Sequence, residues 1–248
     1  MKNLRKYTKN SVTREVITYT GKKLARDQKD IVEEIRLELF VNKKPAGEMI
    51  CSPWEIQEAV TGYLYMKEYV HDIADIKKIH IDQKGHSVFI ETADIQKEGT
   101  SNILSADDSR SLSVCEIMDL SQKLEEMSGL FHRTGGVHCA AFVRDTEFLS
   151  YKEDVSRHVA VDKVVGDCLI RGIPMGGGIL VFSGRVPAEI LKKVAAMGCM
   201  MVIAKSAPTN YSCDLAQKLG ITLIGFARDS GFNIYSHPER IFEADCIK

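Results

Sequence analysis

Residues 178–235, GILVFSGRVPAEILKKVAAMGCMMVIAKSAPTNYSCDLAQKLGITLIGFARDSGFNIY, alternate unbroken apolar runs with helix-forming segments. Gly178 to Ser183, Met200 to Ala204 and Ile221 to Phe226 are apolar almost throughout, which is the pattern of strands buried on both faces. Between them Pro187 to Met197 and Asn210 to Leu219 read as helices, the second closed by Gly220. The order is β-α-β-α-β, and strands joined by helical crossovers pair in parallel. Phe232 to Tyr235 adds a short final strand. The expected class is α/β, with helices covering both faces of a parallel sheet.

Ligands of such sheets bind beyond the carboxyl ends of the strands. Three segments follow those ends here: Ser183-Gly184-Arg185, Lys205 to Thr209 and Ala227 to Gly231. Arginines and a lysine beside small hydroxyls, near helix N-termini, suit an anion such as phosphate.

Immediately upstream, residues 133–163 read RTGGVHCAAFVRDTEFLSYKEDVSRHVAVDK. Gly135 and Gly136 allow positive φ or close approach of the backbone to a ligand. His138 to Phe142 opens a tightly packed buried element. Glu153-Asp154 precedes what reads as an amphipathic helix carrying Arg157, His158, Asp162 and Lys163. Asp154 reads either as that helix's N-cap or as a site carboxylate, and His158 either as a half-buried structural histidine or as a site residue.

The N-terminal half is β-rich. Residues 1 to about 30 are polar and expected to be frayed or loosely docked. Glu34 to Val41 alternates and, through Asn42-Lys43-Lys44, reads as a hairpin into Gly47 to Cys51. Ser52, Pro53 and Glu55 form a capping-box pattern before a helix carrying Trp54, Ile56, Val60, Tyr63, Leu64 and Met66, aromatics that read as core. Ile76 to Ile81 and Ser87 to Glu91 form a second β pair around Gln83-Lys84-Gly85. Residues 95–112 are polar and read as a mobile loop. Ser113 and Glu116 make a second capping box, opening a helix that carries Ile117, Leu120, Leu124 and Met127. Cys115 lies in that helix's first turn, where free N–H groups favour a thiolate; it equally suits one more small buried residue. A division into residues 1–112, β-rich with one helix, and residues 113–248, the α/β core, is expected, unless the two form one continuous domain.

Lys and Arg number 33 against 34 Asp and Glu, so no global charge excess points to nucleic acid or a membrane surface. No apolar run could span a bilayer, and the polar, basic start lacks a secretory h-region. Seven scattered cysteines with no C-x-x-C pair suit a reducing cytoplasm and argue against a disulfide framework or zinc ribbon. There is no Walker loop. Gly176-Gly177-Gly178 precedes a strand rather than following one, so it is not a dinucleotide fingerprint. The zinc-deaminase pattern is absent, and His138-Cys139 has no second ligand pair, so no bound metal is expected.

TGGVHCAAF (134–142), EDVSRHVAVDK (153–163), ILVFSGRV (179–186), AKSAPT (204–209), LIGFARDSGFNIY (223–235) and SHPERI (236–241) together resemble the FdhD family of formate dehydrogenase accessory sulfurtransferases. The resemblance runs from about Glu34 onward. It implies a cytidine-deaminase-like three-layer α/β/α fold without the zinc site, and a homodimer. It also implies that sulfur is received as a persulfide from a cysteine desulfurase. That sulfur is passed to a bis(molybdopterin guanine dinucleotide) molybdenum cofactor, which is bound as cargo on its way to formate dehydrogenase. The family's cofactor-binding loop falls on Phe226, Ala227, Arg228, Asp229, Ser230 and Gly231. Position on the sheet edge adds Thr134, Gly135, Gly136, His138, Asp154, Arg157, His158, Ser183, Arg185 and Ser206. Two departures stand out. The family's C-G-x-C-G pair upstream of the TGG motif is missing from TSNILSADDSRSLS (100–113), and Ser156 replaces a usual glycine. Cys115 is therefore the candidate displaced sulfur carrier, with Cys139 second; the alternative is a non-catalytic cofactor chaperone or partner-binding scaffold that has lost the relay.

Overall fold

The computed structural model describes residues 10–82, 86–93 and 110–243. Its centre is a six-stranded sheet built around β10 (Ile179–Phe182), β11 (Met201–Ala204) and β12 (Thr222–Arg228), which pair in parallel as expected. The crossovers are α5 (Ala188–Ala196) and α6 (Asn210–Leu219), the latter closed by Gly220 in the left-handed conformation. The sheet as a whole is mixed, however, not parallel. β8 (His138–Arg144) runs antiparallel beside β10, β9 (Glu147–Asp154) antiparallel beside β8, and β13 (Gly231–Ser236) antiparallel beside β12. Two connections made this so. Asp145 and Thr146 (φ 48° and 62°) form the tight turn that folds β9 back onto β8, and the third post-strand turn leads into a hairpin rather than a helix.

Alternation along each strand sends neighbouring side chains to opposite faces, which is why the central strands are apolar without interruption. Leu180, Phe182, Val202 and Leu223 pack under α5, α6 and α4 (Arg157–Ile170). Val181, Met201, Ile203 and Ile224 pack under α2 (Val114–Glu126). The three layers are thus helix, sheet, helix. The short strands β7 (Leu112–Ser113) and β14 (Ile241–Phe242) pair at the start of α2, one strand beyond the last expected. The Ser113–Glu116 capping box is present as predicted.

A second sheet, in the order β4-β3-β6-β5, comprises β3 (Ile35–Val41), β4 (Lys44–Cys51), β5 (Ile76–Ile81) and β6 (Ser87–Thr92). It shares an apolar cluster with α1 (Ile56–Met66), and α1 lies directly on α4. The two helices meet at glycines. A β-carbon at Gly62 would stand 1.9 Å from the Asp162 carbonyl oxygen, and one at Gly166 would stand 1.9 Å from that of Glu58.

Several expectations change. Residues from Ser11 are not frayed: β1 (Ser11–Thr20) and β2 (Lys23–Val32) pair over their full length around Gly21-Lys22, whose φ values of 56° and 73° suit a type I′ turn. Ser52 does not cap α1. It is fully buried, donating its N–H to Asp154 Oδ2 and accepting Val155 N–H at Oγ, so its polar groups are spent on the β9–α4 junction. Glu55, in the left-handed conformation, precedes α1 without a side-chain cap, and Trp54 lies before the helix with Lys163 Nζ 4.9 Å from its ring centroid. α4 is not amphipathic but largely buried, since it is covered by α1 on one side and the sheet on the other. The Gln83-Lys84-Gly85 turn and residues 95–109 of the expected loop lie outside the described residues.

Candidate functional site: the carboxyl edge of the central sheet

The turns after β10 and β11 and the bulged end of β12 lie side by side. Ser206 Oγ donates to Ser183 O at 3.2 Å, Phe226 N–H to Ser206 O at 3.3 Å, and Arg228 Nε to Lys205 O at 3.5 Å. Val186 and Pro208 form a parallel bridge just beyond. Because β8 is antiparallel, its beginning rather than its end lies at this edge. Ser183 N–H donates to Cys139 O, and Ser183 Oγ accepts Cys139 N–H at 2.9 Å. His138, paired with Asp154 in the register, therefore stands beside the turn after β10, and so does the start of α4. Gly184 keeps this junction close: a β-carbon there would lie 2.6 Å from the Phe182 ring and 3.4 Å from Arg157 Cβ.

Ser183, Ser206, Phe226, Arg228, His138, Arg157 and His158 are thus gathered at one mouth, with Arg185 exposed at its rim. Phe226 adopts φ 54° where β12 bulges, and the residue is 41% exposed. Ala227 is buried, its carbonyl held by Ser121 Oγ at 2.7 Å, so it anchors the loop instead of lining it. Asp229 and Ser230 form the hairpin turn and Gly231, at φ 129°, ends it. Thr134 and Gly135 close α3 (Gly129–Thr134), with Thr134 Oγ1 bonded to Leu130 O; Gly136 is pressed against Val32 of β2.

Asp154 is corrected. It is wholly buried, its Oδ2 2.9 Å from the equally buried Lys163 Nζ and its Oδ1 accepting Ser156 N–H, so it organises the β9–α4 turn from behind and presents no surface to a ligand. Ser156 has φ −97°, a conformation any residue adopts, so the usual glycine is dispensable here. Beneath the mouth, Lys193 Nζ holds Asp162 Oδ1 at 2.5 Å and His158 O at 3.1 Å.

Burial lowers the His138 pKa below the ordinary histidine value, and Arg157 lowers it further against the pull of Asp154. Burial likewise lowers His158, helped by Lys193 and Arg157 and opposed by Glu189. Both are neutral at pH 7 and can donate or accept a hydrogen bond. The unfolded chain takes up these protons near the ordinary value of about 6.5, before the folded one does, so stability falls as pH drops through that value. The melting temperature should fall between pH 7.5 and 5.5, and His138→Gln/His158→Gln should lose part of that fall; an unchanged profile contradicts the assignment.

The cysteines divide. Cys115 is disulfide-bonded. It begins α2 at the amino edge of the strands, since the next residue, Glu116, lines a cavity with Gly177, Ile179 and Met200. Glu125, ten residues on, reaches the mouth through Lys205. One helix thus spans the sheet, with Cys115 about 15 Å along the axis from the mouth. Cys139 is at the mouth but 4% exposed, and burial raises its pKa despite hydrogen bonds with Ser128 and Ser183, which keeps a thiol rather than a thiolate. Cys51, Cys168, Cys199 and Cys213 are free, and burial raises each of them, Cys51 and Cys168 to about 12. Among the described residues no group of His, Cys, Asp and Glu could hold a metal ion, and no helix is long and apolar enough to cross a membrane.

Fold and edge together define an α/β protein whose post-strand turns gather at one edge of a mixed sheet. Residues 32–242 match the model of the FdhD/NarQ family, and the chain belongs to that family. It is 34% identical over 250 residues to a protein of Staphylococcus haemolyticus named sulfur carrier protein FdhD, covering 91% of this chain and 95% of the relative. A Bacillus subtilis protein of the same name is 32% identical over 260 residues, covering 95% and 99%. A crystal structure of a putative formate dehydrogenase accessory protein from Desulfotalea psychrophila superposes with a TM-score of 0.81 at 23% identity, covering 94% of this chain and all of that one, and shares the fold.

Proposed function

We propose that this chain is a sulfur-carrier-type accessory protein of formate dehydrogenase maturation, and that its mouth receives the guanine-dinucleotide molybdenum cofactor as cargo. Family membership and the relatives' names support the first part. One observation carries the second: Arg157 Nε is buried at the mouth without a hydrogen-bond partner, beside the bare backbone of Gly184. An unsatisfied guanidinium N–H is costly unless a ligand oxygen meets it. The Ser183 and Ser206 turns and Arg228 provide further polar contacts for a diphosphate, and Phe226 offers a ring face for a base. Isothermal titration should show guanosine diphosphate binding, weakened about tenfold or more in Arg157→Gln with the melting temperature little changed. Unaltered affinity removes Arg157 from the site.

In the relay, a thiolate of this chain attacks the terminal sulfur of a cysteine desulfurase persulfide, and the donor cysteine leaves as thiolate. Cys115 can play that part only once its disulfide is reduced. Its oxidised state and its distance from the mouth favour a second reading, in which the chain, acting as a homodimer, carries and protects the cofactor without transferring sulfur. Persulfide mapping after reduction and incubation with a desulfurase and cysteine separates the two. Label on Cys115 supports the relay; nucleotide binding without label supports the chaperone.

A further inference from the structure

Glu125 occupies an unfavourable place for a carboxylate. It lies in the last turn of α2, next to Glu126, where the negative end of the helix dipole disfavours acidic residues. Among the described residues no cap or local helix contact of its side chain explains it. Its carboxylate instead pairs with Lys205 Nζ, the lysine of the turn after β11, whose side chain is 18% exposed. That bond holds the Glu125 pKa below its usual range, reinforced by the charges of His132 and Arg228. Arg228 is anchored to the Lys205 carbonyl oxygen, and His132 Nε2 lies 3.0 Å from the Glu125 carbonyl oxygen. One carboxylate therefore stands among the lysine, arginine and histidine of a mouth otherwise suited to an anion.

We propose that Glu125 is a built-in stand-in for the cargo's phosphate: it neutralises Lys205 in the free protein and is displaced when a nucleoside diphosphate group binds. This rests on the reading of the mouth as a nucleotide site and adds the residue that tunes its affinity. A displaced Glu125 remains close enough to repel the phosphate, so it holds binding weak and favours hand-over of the cargo. The pair is partly exposed, so the strain it imposes on binding is modest, and its removal should be visible but not overwhelming.

The test is titration of guanosine diphosphate into the full chain and into Glu125→Gln, Lys205→Gln and the double variant, with thermal melts as a folding control. Glu125→Gln should bind about fivefold more tightly, the equivalent of one surface ion pair. Lys205→Gln should bind more weakly, and in that background Glu125→Gln should give little gain, because the carboxylate acts through the lysine. Equal or weaker binding by Glu125→Gln overturns the proposal. So does an undiminished gain without Lys205, which reduces Glu125 to a general charge effect. So does a loss confined to guanosine against adenosine diphosphate, which makes Glu125 a reader of the base. Wild-type binding with any of these outcomes leaves the mouth reading intact; absence of binding by the wild type and every variant sinks both.

Discussion

Gly62→Ala, and Gly166→Ala separately, should cost about 3 kcal/mol or more of stability and are the substitutions in this chain most apt to prevent folding. Each added methyl meets a carbonyl oxygen of the facing helix at 1.9 Å, inside any permissible contact, and backbone cannot step aside as a flexible side chain can. α1 and α4 must then separate, which opens the cluster that α1 shares with the second sheet. Gly129→Ala is the control: it begins a helix with nothing within 4 Å of the added carbon, so its melting temperature should match the wild type. If Gly62→Ala melts within about 2 °C of the wild type in denaturation scans, the helices are not locked at this crossing.

Asp154→Ala should have the second largest effect, about 3–5 kcal/mol, because it strands a buried charge. Lys163 has no exposed surface and would keep Glu153 O at 3.2 Å, the Trp54 ring at 4.9 Å and Glu55 at 3.9 Å, with no carboxylate in direct hydrogen-bond contact. Ser52 and Ser156 would each lose an acceptor for a backbone N–H. The melting temperature should drop by on the order of 10 °C. Lys163→Met/Asp154→Ala should recover much of the loss, since removing both charges is far less costly than removing one. A double variant no better than the single one refutes the account. The β9–α4 turn also presents Arg157, so a folded remnant of Asp154→Ala should bind nucleotide poorly.

The parts legible in the sequence were those governed by local chemistry. β10, α5, β11, α6 and β12 begin and end within about two residues of the expected positions, because unbroken apolar runs and Gly220 mark them without reference to the rest of the chain. The rule that ligands gather beyond strand ends likewise placed Ser183, Ser206 and Arg228 together. What failed was long-range. β9 buries Lys152 and Asp154, charged residues that hydropathy assigns to solvent, because Glu55 and Lys163 neutralise them from elsewhere in the chain. Ser52 satisfies every local rule for a helix cap, yet the β9–α4 junction recruits it. The Glu125–Lys205 pair joins residues 80 apart in sequence, and neither carries a mark of it. The residues 11–32 hairpin was missed for a different reason: its strands are largely exposed, so they lack the apolar alternation by which strands are recognised.

The turns closing β3–β4 and β8–β9 place Asn42, Lys43, Asp145 and Thr146 at positive φ, and Thr146 is β-branched at 62°. Asn42 is held in place by two hydrogen bonds to Thr92 and Asp145 by Arg110, but at Lys43 and Thr146 glycine would fit with less strain, and none of the four touches the mouth. The molecule therefore keeps unclaimed thermal headroom in its hairpin tips, remote from its chemistry. A lineage or an engineer could draw on it to tolerate costlier changes at the binding edge.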